Sequence, residues 1–212
     1  MKGFSFFVCS IFILTSCATA YKSINPSQVN YTTRLNENNI DFYYQYGILG
    51  LRGNKKFSKK EDKKGFKVIS VKITNNTDKT LIVGENLDFY SSDRKLVLLD
   101  PVFAHQHLKQ GVAIYLLYLP LTFLQFYTYD TKNYNGYSQK KIASSTPIGL
   151  LIGPPIVIGN MLVAGTANKR FKEELITYNL NGKKIVSGQT AYGLIIINDF
   201  NYGPLNLKTK EF

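Results

Sequence analysis

The sequence predicts a mainly β, sandwich-type fold interrupted by an apolar hairpin insertion. Three observations lead to it. Ile69, Val71 and Ile73 alternate with Ser70, Lys72 and Thr74, the period of a strand with one buried face. Short apolar runs of this kind recur between polar turn clusters such as Asn75-Asn76-Thr77-Asp78 and Ser91-Ser92-Asp93. Two stretches without any charge, Gly111 to Tyr129 and Ile142 to Asn168, divide the β-rich ends of the chain.

The chain has 212 residues, enough for one modest domain with an insertion or for two small parts. Hydrophobic residues make up 44%, and 15 Tyr with 14 Phe supply a core in the absence of Trp. Lys and Arg outnumber Asp and Glu by 26 to 14, a net charge of +12 that favours anionic partners. Cys9 and Cys17 are its only cysteines. Nothing beyond Cys17 therefore forms a disulfide, a thiolate nucleophile or a Cys-based metal site.

Residues 1–16 read as a secretion leader. Met1-Lys2 is a short positive start, and Phe4 to Leu14 is an apolar run too short to span a bilayer as a helix. Leu14-Thr15-Ser16-Cys17 abuts that run, and these seventeen residues resemble bacterial lipoprotein precursors. The resemblance implies that Cys17 becomes the acylated first residue of the mature chain, held firmly because it carries more than one acyl chain. Ala18-Thr19-Ala20 forms an overlapping site for ordinary secretion, the competing reading. Membrane lipid is thus the expected partner through Cys17, with an envelope protein or anionic surface as a second. For an exported chain, nucleic acid is not expected.

Residues 17–39 are polar, rich in Asn, Ser and Thr, and read as a tether. Residues 40–100 form the first part of the sandwich. Ile40 to Gly50 is aromatic and β-prone. The basic run Gly50 to Lys67, with Glu61 and Asp62 interleaved, reads as a solvated loop rather than a lipid-binding segment. Val71-Lys72-Ile73-Thr74-Asn75-Asn76-Thr77-Asp78-Lys79-Thr80-Leu81 looks like a strand-turn-strand of the immunoglobulin-like domains common in bacterial envelope proteins. The fold expected is therefore an immunoglobulin-like β-sandwich interrupted by an apolar helical hairpin. In residues 169–212, Phe171, Leu175 and Tyr178 give a short amphipathic helix. Asn181-Gly182 turns the chain, and Ala191 to Asn198 reads as a central strand buried on both faces.

The insertion, residues 101–168, has three readings. It can span a bilayer as two helices, lie on a lipid or partner surface, or fold back as buried core. Length and the Gly149–Gly153 pair suit spanning. Pro120 and Pro154-Pro155 oppose it, because each removes a backbone donor from a helix. The candidates for membrane or partner contact are Tyr115, Tyr118, Leu121, Leu150, Ile152 and Ile156.

Little else carries chemistry. On a strand, His105 and His107 would share a face, with Asp100 nearby as a third donor for zinc or copper. A full ligand set is missing, so surface histidines are the favoured reading and neither metal nor cofactor is expected. There is no G-x-S-x-G elbow, Walker loop or G-x-G-x-x-G. The expectation is a non-catalytic, lipid-anchored envelope protein, on the outer membrane facing the periplasm, that contacts membrane or partner through the insertion. The alternative is a small-ligand or glycan-binding lipoprotein with the insertion lining a pocket.

Overall fold

The computed structural model describes residues 17–134 and 137–210, so the expected leader and all of the expected lipoprotein box but Cys17 lie outside the described residues. The chain divides into two compact units. Among the described residues, one comprises Thr19–Gln110 and 166–210; the other comprises 17–18 and Gly111–Gly165.

In chain order the strands are β1 (Thr33–Glu37), β2 (Ile40–Gln45), β3 (Phe66–Asn75), β4 (Leu81–Ile82), β5 (Leu87–Ser91), β6 (Arg94–Lys95), β7 (Phe126–Tyr134), β8 (Tyr137–Thr146), β9 (Lys184–Ile185), β10 (Thr190–Asn198) and β11 (Leu205–Thr209). The helices are α1 (Ile48–Leu51), α2 (Lys55–Lys64), α3 (Pro101–Leu108) and α4 (Gly149–Thr177). The larger unit is β-rich with helices. It holds an antiparallel four-stranded sheet in the order β1-β2-β3-β10, a three-stranded sheet β11-β5-β6, and the pair β4-β9.

Alternation explains how these sheets pack. Ile69, Val71 and Ile73 of β3 join Phe42 and Tyr44 of β2 and Ile195 and Ile197 of β10 in one core. Leu87, Phe89, Leu205 and Leu207 of the three-stranded sheet complete it. The rings of Phe42 and Phe89 meet edge to face at 5.7 Å. The opposite faces of β3 and β10 present Phe66, Val68, Leu194 and Ile196 to a second core shared with helical residues, among them Ile48, Phe57, Leu108 and Phe171. Burial on both faces accounts for the unbroken apolar run of β10. The strand is not central, however. It ends its sheet, and beyond it lie only single bridges at Leu98–Ile197 and Asn179–Leu194. An apolar run records which faces are covered, not how many neighbours a strand has.

Four further sequence expectations change. The basic run is helix α2 rather than a loop. Phe57 and Glu61, one turn apart, face inward, and Gly65 closes the helix with φ 69°. Only two inward positions in ten leave too weak an apolar period to read. Residues 18–39 are not a tether: Tyr21 and Ile24 are buried, and the segment includes β1. The short C-terminal helix is the end of the 29-residue α4, which continues through Pro154-Pro155. Those prolines fall just after the first turn and leave only the Leu150 and Leu151 carbonyls without a helical donor. The insertion is not a helical hairpin. It consists of a 3-10 segment, Ala113–Phe123, the β-hairpin β7-β8, and the first part of α4. Pro120 opposes an α-helix in the first stretch, and the aromatic and Thr residues after Leu124 favour strand.

Glu61 is buried and accepts a 2.6 Å hydrogen bond from the Val68 amide. Burial pushes its pKa up from 4.5 to about 7, although the Val68 amide and Lys67 pull the other way. The folded state therefore holds this proton more tightly than the unfolded chain. Its contribution is fully present below pH 4.5 and falls as pH rises towards 7, by roughly 3 kcal/mol. Urea unfolding at pH 5 and pH 8 checks this: Glu61→Gln should remove that decline, whatever fixed offset the amide adds.

Candidate functional site

The site centres on the residues that follow Cys17. In the insertion unit, the Ala18 amide donates a 2.6 Å hydrogen bond to Asn160 Oδ1, part-way along α4. Cys17 itself is exposed. From Thr19 onward the chain is held within the larger unit by side-chain amides. A primary amide carries both a donor and an acceptor, so it can pair with a backbone as a strand does. Gln110 does this with Thr19: Nε2 donates to Thr19 O at 2.8 Å, and Oε1 accepts from Thr19 N at 3.3 Å. Asn168 pairs in the same way with the backbone of Gln110, at 2.7 and 2.9 Å. Asn54 grips Lys22 through two bonds of 2.8 Å. Glu174 then accepts from the Ile24 amide at 3.0 Å, the Tyr21 hydroxyl at 2.7 Å and the Ser23 hydroxyl. Burial, reinforced by Glu174, raises the Tyr21 hydroxyl well above the usual tyrosine range.

The insertion unit packs along one narrow stripe. Gly149, Gly153, Val157 and Ala164 are the buried positions of its stretch of α4, spaced by helical turns. A Cβ on Gly149 would lie 2.5 Å from the Thr122 carbonyl oxygen, and one on Gly153 would lie 2.8 Å from the Thr122 amide nitrogen. The glycine pair noted in the sequence thus admits the Leu121–Thr122 backbone of the same chain. The 3-10 segment turns Tyr115, Tyr118 and Leu121 inward, at its own period of three. Tyr115 and Tyr118 stack at 6.4 Å.

The rest of this surface is apolar and exposed. Leu117, Phe123, Leu151 and Leu162 expose 73%, 83%, 76% and 65% of their area, alongside Ile114 and Ile158. Single exposed leucines are ordinary, whereas this many on one helix and the segment packed against it make the surface a candidate for contact. Of the expected contact residues, Leu150 and Ile152 lie exposed within it. Tyr118, Leu121 and Ile156 are half-buried, and Tyr115 is buried, so it is not available for contact. Leu117, Phe123, Leu151, Ile158 and Leu162 were missed. The small-residue stripe 149-153-157-164 was the signal, since it marks the inward face and leaves the large side chains outside.

His105 and His107 lie on α3, where positions two apart point in nearly opposite directions, and so do not form the shared face a strand would give. Asp100 caps that helix by accepting from the Phe103 amide at 2.8 Å. His107 Nδ1 lies 2.9 Å from the Phe103 carbonyl. His105 is half-buried. Desolvation lowers its pKa, only partly offset by a backbone hydrogen bond at Asn168. Among the described residues no group of three His, Cys, Asp or Glu could hold a metal.

The two kinds of glycine in α4 give a contrast that urea unfolding can read. Gly153→Ala must displace the Thr122 backbone and should cost on the order of 1–3 kcal/mol. Gly159 has nothing within 4 Å of a Cβ, and Gly159→Ala should stabilise by about 0.4–1 kcal/mol. Comparison with protein-family models, curated proteins and solved structures finds no match for this chain.

Proposed function

We propose that this chain is a non-catalytic, lipid-anchored cell-envelope protein whose insertion lies in the interfacial zone of the membrane that holds Cys17. The observation that carries the reading is the hydrogen bond between Ala18 and Asn160. It joins the residue after the anchor to the helix bearing the exposed Leu150, Leu151, Ile158 and Leu162. An acylated Cys17 has its backbone at head-group depth, and Asn160 then lies at that depth as well.

That depth bears on the spanning reading. α4 is long and apolar enough to cross a membrane by length and composition. Yet from Gly149 to Asn160 it rises only about 16 Å, and from Asn160 to Lys169 about 13 Å, against a hydrocarbon core of about 30 Å. Neither half reaches across once Asn160 is at the surface. An interfacial seat immerses the exposed leucines while the hairpin β7-β8, with Lys132, Lys140 and Lys141, remains among head groups. A pocket lined by the insertion is less favoured, because Leu150 and Ile152, which would line it, are exposed.

The larger unit serves as the scaffold in this reading, an immunoglobulin-like β-sandwich. In support, β3 and β4 follow one another in sequence yet pair in different sheets, and two sheets share one core. The proposed location is the outer membrane, facing the periplasm.

Acyl labelling and membrane fractionation test the reading in a host that processes lipoproteins. Wild type should take up labelled palmitate at Cys17, and Cys17→Ala should not. Cys17→Ala should still sediment with membranes, and adding Leu151→Glu and Leu162→Glu should release it. Absence of label on wild type sinks the anchor, and full solubility of Cys17→Ala alone sinks the membrane seat.

A further inference from the structure

The interleaved Glu61 and Asp62 made the lysine-rich run read as a charge-balanced, solvated segment. In the folded protein both acids are engaged by groups other than the exposed lysines. Glu61 turns inward and is buried against the Val68 amide. Asp62 accepts from the Tyr202 hydroxyl at 2.9 Å and pairs with the buried Lys67 at 3.2 Å. The ammonium groups remain. Lys60, Lys63 and Lys64 share one face of α2 by helical spacing. Lys60 Nζ donates to the carbonyl of Lys109, which brings a fourth lysine to that face. Burial, then the charges of Lys64, Lys109 and Lys63, hold the Lys60 ammonium below the usual lysine range. These are cations gathered against their mutual repulsion, with Lys63, Lys64 and Lys109 exposed.

The position of this cluster in the chain gives it an occupant. Lys109 precedes Gln110, whose side chain grips both backbone groups of Thr19. Thr19 is two residues from Cys17, so their Cα atoms are at most about 7.6 Å apart. No slack tether separates the lysines from the acylated residue.

We propose that Lys63, Lys64 and Lys109, arranged around Lys60, form a binding surface for anionic phospholipid head groups in the membrane that holds Cys17. The inference rests on the lipid-anchored reading for its location, but on the lysine cluster for its chemistry. The surface recognises the phosphate of the head group as a delocalised negative field. Its strength therefore follows the fraction of anionic lipid and falls as salt screens the charges.

Sedimentation of the full-chain Cys17→Ala protein with vesicles separates this inference from the one before it. Vesicles of phosphatidylcholine alone report on the apolar insertion. The gain on adding phosphatidylglycerol reports on the lysines. The expected result is such a gain, abolished by high salt and reduced by Lys63→Gln, Lys64→Gln and Lys109→Gln together, at about fivefold per lysine or about a hundredfold in all. Lys60 is left in place because it closes the end of α3. Binding to pure phosphatidylcholine, and thermal unfolding, should be unchanged in the triple variant. A full gain retained by the triple variant overturns the proposal, as does wild-type binding indifferent to phosphatidylglycerol. Loss of binding to phosphatidylcholine alone would instead count against the seated insertion.

Discussion

Strands β3 and β10 pair antiparallel over nine residues, from Thr190 opposite Thr74 to Asn198 opposite Phe66, and both cores of the larger unit are built on that ladder. One face carries Ile69, Val71, Ile73, Ile195 and Ile197 into the core between the sheets. The other carries Phe66, Val68, Leu194 and Ile196 into the core under the helices. A slip of one residue would exchange every side chain between the faces. Lys72, which lies near the rings of Tyr43 and Tyr192 at the open end, would then be driven among the isoleucines. Register is therefore set by burial, and the helices can dock only on the face that this register presents.

The N-terminal segment depends on that docking. Its partners, Asn54, Gln110 and Glu174, with Asn168 holding Gln110 in turn, come from parts of the chain brought together by the helical core. Each amide clip replaces backbone–water hydrogen bonds with protein ones, a modest gain per bond but a cost if one partner is removed and the other is left buried. Phe57 and Phe171, whose rings lie 4.5 Å apart, both pack against the Tyr21 ring at 5.5 Å. The consequence is mechanical. A lipid on Cys17 would join its membrane to a folded body through almost no flexible chain, rather than through a slack tether.

Along the insertion's stretch of α4, small residues do the packing and large ones are left outside. This reverses the usual order of a soluble helix, in which leucines face the core. Gly149 and Gly153 allow backbone-to-backbone approach with Leu121 and Thr122, so little side-chain area is spent inside. Leu117, Phe123, Leu151 and Leu162 remain exposed.

The sequence by itself determined the strands of the β-rich ends, the apolar run of β10, the two uncharged stretches of the insertion and the position of Cys17 just after an apolar run. Each of these is written in neighbouring residues, through a period of two, an unbroken run or a short motif. It did not show that residues 18–39 are clamped, because an Asn or Gln beside a polar stretch reads as solvated until its backbone partner, up to 142 residues away, is known. Nor did it separate Glu61 and Asp62 from the lysines around them. Local composition counts charges, whereas burial and long-range pairing decide which charges remain at the surface. Tertiary structure alone made a tether into a fastened strand, a balanced run into a cationic face, and a glycine pair that suggested two membrane helices into a close contact within one chain.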